Sequence, residues 1–333
     1  MPTDASTIHL SMEAALAFGA TALQSIGFSD EEAGVIAAHL VDSELCGYPA
    51  LGLARILTVS EHTRMAQPRK PPAVVHETPV SAQIDGGNYV GLYSVYRASE
   101  IAIEKARAGG FALVGLHNSW LSGRNAYYLE RIARAGFAGI HLACSPPVVV
   151  PHGGRAPALG TNPIAFALPG NPDPVVFDMG TSATNHGDVI LAARLGNLLP
   201  GGVAVDADGA PTRDPQAALR GGILPFGGAH AHKGYGLSFM AQAMGLLAGV
   251  ALPRGQVQDF GFLFVVFDPA LLMPADRFQQ ELAELIARVK ATPRQPGVSE
   301  IRIPSEQAFR TRAQRRVEGF QLERRIYQRI AAL

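Results

Sequence analysis

Two neighbouring stretches decide the fold class: VVVPHGGRAPALGTNPIAFALP (148–169) and PVVFDMGTSATNHGDVILAAR (174–194). Each contains a short apolar run between turn residues, which predicts the strands Ile164–Leu168 and Val175–Met179. The same reasoning outside this block predicts three further strands, over Phe111–Leu116, Phe137–Cys144 and Phe260–Phe267.

Helical periodicity occurs between these strands and at both ends of the chain. Residues 11–27 have apolar positions at helical spacing, and Ser29 with Glu32 forms a capping box that begins a second helix. Residues 237–252 are the most apolar helix-length segment and predict a buried helix, while residues 305–333 predict a charged helical end. The other predicted helices are Leu92–Ala108, Arg124–Ala135, Gly234–Leu247 and Asp276–Val289. The pattern as a whole indicates an α+β protein of more than one domain.

Composition excludes several classes of protein. The 333 residues carry 28 basic and 28 acidic side chains, so no overall positive field favours nucleic acid. Two cysteines without ligand-spaced partners argue against a disulfide framework or a zinc site, and fit a reducing cytosol. The first lysine or arginine is Arg55, so a signal peptide is not expected, and no apolar run predicts a membrane span. The glycine-rich nucleotide motifs GxGxxG and GxxxxGK[ST] do not occur in a suitable context.

Four ordered motifs carry a family resemblance. The two stretches above are followed by VDADGAPTRDP (205–215) and LPFGGAHAHKGYGLSFM (224–240). In order and spacing these resemble the type-2 malate/L-lactate dehydrogenases, over roughly residues 10–310. Many members of that family have a lysine where this chain has Asp188, in HGDV. The aspartate resembles the branch that reduces Δ1-piperideine-2-carboxylate and Δ1-pyrroline-2-carboxylate.

The resemblance implies a fold and an assembly. A non-Rossmann cofactor domain with a largely antiparallel sheet is expected, together with a helical domain built from the N- and C-terminal segments. We therefore expect a helical unit over 1–75, completed by 300–333, and an α/β cofactor- and substrate-binding region over 76–299. A homodimer that acts on a small molecule follows from the same resemblance. The cysteine usage indicates the cytoplasm, and His230 and His232, which lack a third ligand, do not predict a metal site.

The resemblance also implies roles for individual residues. Arg55 and Thr161 match the positions that bind the substrate carboxylate, and Asp188 belongs to the catalytic group, with His186 and Tyr48 as candidate proton donors. Several of these residues also have a purely structural interpretation. Arg55 would extend its charge from an apolar helix edge to solvent, Thr161 would be a turn residue, and Asp178 would cap a turn. Tyr48 would pack against its neighbours, and His232–Lys233 would belong to a basic surface loop. The expected cofactor contacts are Trp120, Leu121, Ser122, Gly123, Arg124, Asp178, Met179, Gly180, His232 and Lys233.

Departures from the family pattern bear on the reaction. Where the family has Ser-His before the arginine, this chain has Ala50 and Leu51, which cannot donate a proton, and Leu121 replaces a cofactor-segment histidine. General acid catalysis contributes about 10² to 10⁴ in rate, so ketone reduction without the acid is severely handicapped. A cyclic imine can arrive already protonated, and Asp188 would stabilise that cation.

We therefore expect an NAD(P)H-dependent reductase of a cyclic imine carboxylate, forming a cyclic L-amino acid. The alternatives are a 2-keto-acid or 2-hydroxy-acid dehydrogenase, a reductase of another imine or carbonyl, and a catalytically silent homologue that only binds ligand. Arg124 or Lys233 would meet a 2′-phosphate, which favours NADPH over NADH. The ring size of the substrate is left open.

Overall fold

The computed structural model describes residues 6–250 and 260–333 and shows a mixed α/β fold around a seven-stranded sheet. In spatial order its strands are β2 (Ala73–Thr78), β3 (Ser81–Val90), β4 (Phe111–Trp120), β11 (Phe260–Phe267), β5 (Ala138–Cys144), β6 (Ile164–Leu168) and β7 (Val175–Met179). Strands β3 and β4 run parallel, and the other neighbours in this sheet pair antiparallel.

Apolar runs located five strands of the sheet, including its edge strand β7. The prediction is confirmed with the same bounds for β6, β7 and β11, while β5 begins one residue later and β4 extends to Trp120. Strand β11 has apolar residues on both faces because it lies between β4 and β5, with helices packed on the sheet. Strand β3 contains Asp85 and two glycines and was not predicted individually.

Eleven helices surround the sheet in the described part of the chain. They are α1 (Met12–Ser25), α2 (Asp30–Leu45), α3 (Arg55–Ser60), α4 (Gly91–Gly109), α5 (Asn125–Arg134), α6 (His186–Leu195), α7 (Pro215–Arg220), α8 (Ala231–Leu246), α9 (Ala275–Lys290), α10 (Glu306–Glu318) and α11 (Arg324–Ala331). The predicted capping box begins α2: Ser29 N–H donates to Glu32 Oε2 at 2.9 Å, and Glu32 N–H donates to Ser29 Oγ at 3.4 Å. No helix among these is both long and apolar enough to cross a membrane.

The two ends of the chain meet in a small sheet. Strand β1 (Thr7–Leu10) pairs antiparallel with β12 (Phe320–Glu323). The prediction of a helical end over 305–333 is therefore wrong at β12, which separates α10 from α11. Phe320 and Leu322 are buried and alternate with exposed residues, the period expected of a strand. A second small sheet contains β8 (Ala204–Val205), β9 (Pro211–Thr212) and β10 (Gly222–Ile223).

Helix α8 corrects another expectation. The predicted buried helix over 237–252, whose last two residues lie outside the described part, exposes Leu237, Phe239 and Met240. The residues that face the fold are small or polar: Gly234, Ser238, Ala241, Gln242 and Gly245. Gly245 lies against Cys144 so closely that a Cβ there would stand 2.2 Å from the Cys144 sulfur. Small residues thus bring the helix close to the sheet, and the large apolar side chains point outward.

Candidate active site

Residues from separate parts of the chain line one cavity of about 500 Å³. Its walls come from the α3 region, the loop after β4, the strand ends of β5 to β7 and the start of α6. The predicted site residues that line it are Tyr48, Arg55, Leu121, Ser122, Gly123, Arg124, Thr161, Asp178, Met179, Gly180 and His186. Four predicted residues do not line it: Trp120, Asp188, His232 and Lys233.

Arg55 is the first residue of α3 and presents its guanidinium to this cavity. The guanidinium lies against Gly187, where a Cβ would stand 2.3 Å from Arg55 Nη2. The Nε atom is buried and has no hydrogen-bond acceptor within the described residues. Burial lowers the pKa of Arg55 to about 10, although Asp188 opposes that change. A guanidinium whose Nε is buried without an acceptor is suited to bind a carboxylate from a ligand.

A buried acid holds the turn that leads into Arg55. Glu44 accepts a hydrogen bond from the Leu53 N–H at 2.9 Å. Gly52 allows this approach, because a Cβ there would stand 2.2 Å from Glu44 Oε1. Burial raises the pKa of Glu44 to about 8, against an ordinary value of 4.5. The turn therefore depends on a carboxyl group that prefers to stay protonated.

We expect Glu44→Gln to stabilise the protein increasingly as the pH rises from 5 to 8. Because the pKa of Glu44 is raised in the fold, its favourable contribution is complete below about pH 4.5 and is lost as the pH rises through about 8. The gain in the free energy of unfolding should be on the order of 4 kcal/mol at pH 8 and small at pH 5. Urea unfolding at both pH values measures it, with the exposed Glu104→Gln as control. An equal effect at both pH values would contradict this account.

The loop after β4 is held in a tight conformation. Leu121 and Gly123 have φ values of 61° and 74°, and a Cβ on Gly123 would stand 2.7 Å from His39 Nε2. His39 Nε2 in turn accepts the Arg124 N–H at 3.0 Å. Trp120, just before this loop, is fully buried and donates from Nε1 to the Asn88 carbonyl at 3.1 Å. Trp120 therefore packs beneath the cavity wall and does not contact the cavity itself.

Arg124 belongs to a buried ionic network. Its Nη2 pairs with Asp42, whose other oxygen accepts from Arg312 Nη1 at 3.0 Å. Arg312 also donates to both oxygens of Glu130, at 2.8 and 2.6 Å. The charge of Arg124 is therefore already compensated, and only its Nε remains buried without an acceptor.

Asp178 and Thr161 lie where β7 and the segment before β6 reach the cavity. Asp178 Oδ2 accepts the Ala126 N–H at 2.8 Å, in the first turn of α5, so the capping role considered for it is present. Burial raises the pKa of Asp178, and that hydrogen bond opposes the rise. Thr161 uses its carbonyl to accept from the backbone and hydroxyl of Thr181, which leaves its side chain on the cavity wall.

Helix α6 brings the expected catalytic group to the cavity edge. His186 lines the cavity, and burial beside Arg55 lowers the pKa of His186 to about 4. Asp188 accepts a hydrogen bond from Asn185 Nδ2 at 3.0 Å, and Asn185 itself lines the cavity. Asp188 thus contacts Asn185 on the cavity wall and does not line the cavity itself.

Three positions bear on the proton donor. Leu51 lines the cavity, so an apolar side chain occupies the place where the family pattern has histidine. Tyr48 lies on the same wall and is 45% exposed, and burial of the remainder raises the pKa of its hydroxyl. His62 also lines the cavity and was not recognised from the sequence. Its spacing of seven residues from Arg55, with Thr58 between them on the same wall, was the available signal.

His232 and Lys233 lie in the first turn of α8 and are exposed. The rings of His152 and His230 lie 6.0 and 6.1 Å from that of His232. Among the residues with described structure, no group of side chains is arranged to hold a metal ion.

Comparisons with known proteins agree on a family and differ on the substrate. The chain matches the malate/L-lactate dehydrogenase family over residues 10–331. It is 35% identical over 322 residues to L-sulfolactate dehydrogenase of Methanothermobacter thermautotrophicus, covering 93% of this chain and 92% of that one. It is 39% identical over 249 residues to the Δ1-pyrroline-2-carboxylate/Δ1-piperideine-2-carboxylate reductase of Pseudomonas putida, covering 71% and 70%. The solved Δ1-piperideine-2-carboxylate reductase of Pseudomonas syringae superposes with a TM-score of 0.82 at 30% identity, covering 98% and 99%.

Proposed function

Because the chain belongs to the malate/L-lactate dehydrogenase family and is an oxidoreductase, we propose that it reduces a cyclic imine carboxylate to a cyclic L-amino acid. The substrate would be Δ1-pyrroline-2-carboxylate or Δ1-piperideine-2-carboxylate. One observation carries this proposal: the cavity combines Arg55, which forms no ion pair among the described residues, with an apolar Leu51 in place of a proton donor.

The charges around the cavity favour a substrate with a single negative group. Within the described residues Arg55 forms no ion pair, whereas Arg124 is paired with Asp42. A cyclic imine carboxylate carries one negative group, while malate and sulfolactate carry two. A second carboxylate or sulfonate would find no unpaired cation on the described walls, and desolvating it there would be costly.

A nicotinamide cofactor fits the same space. A cavity of about 500 Å³ lies in the size range of small-molecule sites, and the Nε of Arg124 is buried there without an acceptor. Leu121, Met179 and Gly180 would form its apolar wall. When bound in reduced form, the cofactor supplies a hydride. The cofactor would be NADPH or NADH. Arg124 is paired with Asp42 and Lys233 does not line the cavity, so neither residue supports the expected preference for NADPH.

The chain's own residues then perform three tasks. Arg55 and Thr161 hold the substrate carboxylate, the apolar walls exclude water, and Asp188 stabilises the positive charge of an iminium through space and through Asn185. The ring nitrogen already carries its proton in the iminium form, so hydride addition to the adjacent carbon gives a neutral amine without a resident acid.

We expect the imine carboxylates to be reduced at least about 100-fold more efficiently than pyruvate, oxaloacetate or sulfopyruvate. Oxidation of NADPH or NADH by the purified protein, measured as kcat/KM at several pH values, tests this. The rate with imines should rise toward the pH range in which the iminium is populated.

Faster turnover of a keto acid would contradict the proposal and support the alternative, a 2-hydroxy-acid dehydrogenase. The observation that favours this alternative is Tyr48, whose hydroxyl is protonated and lies on the cavity wall. Cofactor binding without turnover of any of these compounds would support a silent homologue instead.

Three further proposals concern the molecule as a whole. We infer a non-Rossmann cofactor domain over 76–299, supported by the mostly antiparallel sheet. The helical unit over 1–75 and 300–333 is supported by the β1–β12 pairing.

We infer a homodimer, supported by the exposed apolar face of α8 at Leu237, Phe239 and Met240. A cytoplasmic location is supported by two buried thiols, Cys46 and Cys144, that form no disulfide.

A further inference from the structure

His62 has a defined position between α3 and the cavity. It lies two residues beyond the end of α3 and lines the cavity together with Arg55 and Thr58. Its ring stacks on Trp120, with centroids 4.3 Å apart and planes inclined by 11°. Because Trp120 is fully buried, this stack fixes the plane of the imidazole.

The hydrogen bonds of His62 also define its tautomer. Nδ1 accepts the N–H of Arg64 at 3.2 Å, so that nitrogen presents a lone pair and the ring proton resides on Nε2. Burial lowers the pKa of His62, and the positive charge of Arg64 adds to this effect. The ring is therefore neutral near pH 7. Within the described residues, no acceptor receives the Nε2 proton.

We propose that His62 binds the cofactor by donating its Nε2–H to the carboxamide oxygen of the nicotinamide. This inference rests on the proposed function. A neutral N–H donor matches a neutral amide oxygen, whereas the substrate carboxylate is matched by the charged fork of Arg55. Trp120 directly precedes Leu121–Arg124, the segment that corresponds to a cofactor contact in the family pattern. His62 therefore stacks on the residue that supports this segment. The hydrogen bond would set the rotation of the nicotinamide in the cavity.

Direct binding of NADPH and NADH, without substrate, tests the inference. His62→Phe keeps a ring on Trp120 and removes the donor, while His62→Gln keeps an N–H donor without the ring. We expect the Phe variant to bind the preferred cofactor roughly three- to tenfold more weakly, as for one lost neutral hydrogen bond, and the Gln variant to lose less. His76→Gln, on the exposed strand β2, is the control.

A cofactor analogue separates this contact from a structural role. In the thionicotinamide form, sulfur replaces the carboxamide oxygen and accepts hydrogen bonds weakly. Wild-type protein should discriminate against the analogue, and His62→Phe should lose most of that discrimination. Equal weakening of the parent cofactor and its thionicotinamide analogue in His62→Phe, or a changed KM for the imine with unchanged cofactor affinity, would overturn the inference alone. A wild-type protein that binds no nicotinamide cofactor would overturn the proposed function as well.

Discussion

Replacing Arg55 with methionine is expected to lower kcat/KM for the imine carboxylate by about two to three orders of magnitude. Truncating one partner of a buried, hydrogen-bonded charge pair costs about 2–5 kcal/mol. Of the two arginines on the described cavity wall, Arg55 forms no ion pair, whereas Arg124 is paired with Asp42. The loss should appear largely in KM if the carboxylate is bound equally in the ground and transition states. Arg55→Lys keeps the charge but loses the two-pronged hydrogen-bond geometry, so its kcat/KM should lie between those of the wild type and of Arg55→Met.

The same substitution should not weaken the fold. Burial lowers the pKa of Arg55 to about 10, which means that the folded protein holds this charge at a cost. Methionine removes that cost, so the midpoint of urea unfolding should stay the same or rise. Arg325→Met, exposed on α11, is the control for both measurements. A large loss of stability, or an unchanged kcat/KM, would contradict the assignment of Arg55 as the carboxylate clamp.

Replacing Arg312 with methionine is expected to cost about 3–5 kcal/mol in the free energy of unfolding. Arg312 lies between Asp42 and Glu130 and is 8% exposed, so its removal leaves two carboxylates buried with too few donors. The network joins α2, α5 and α10, which are far apart in sequence. Its loss should therefore loosen the contact of α10 with α2 and α5.

Urea unfolding of Arg312→Met beside Arg316→Met tests this prediction. Arg316 is on the same helix and exposed, so its replacement should change stability little. Adding Glu130→Gln to Arg312→Met should recover part of the loss, because one of the stranded charges is then removed. Two arginine variants of equal stability would show that the buried network does not stabilise the fold.

The sequence by itself determined the elements whose pattern is local. Apolar runs located β6, β7 and β11, and the capping box at Ser29 located the start of α2. Ordered motifs identified the family, and the resemblance placed Arg55, Thr161 and Asp178 in one predicted site. The strand patterns and the capping box depend on residues within a few positions of each other, which a single sequence displays.

Only the tertiary structure decided which side chains are already engaged. Arg124 appeared available for a phosphate, but it is paired with Asp42, which lies 82 positions away. Trp120 appeared to be a cofactor contact, but it is buried under His62. The outward face of α8 and the pairing of β1 with β12 likewise depend on partners distant in sequence. Burial and charge compensation are set by contacts between remote segments, and a local pattern contains no record of them.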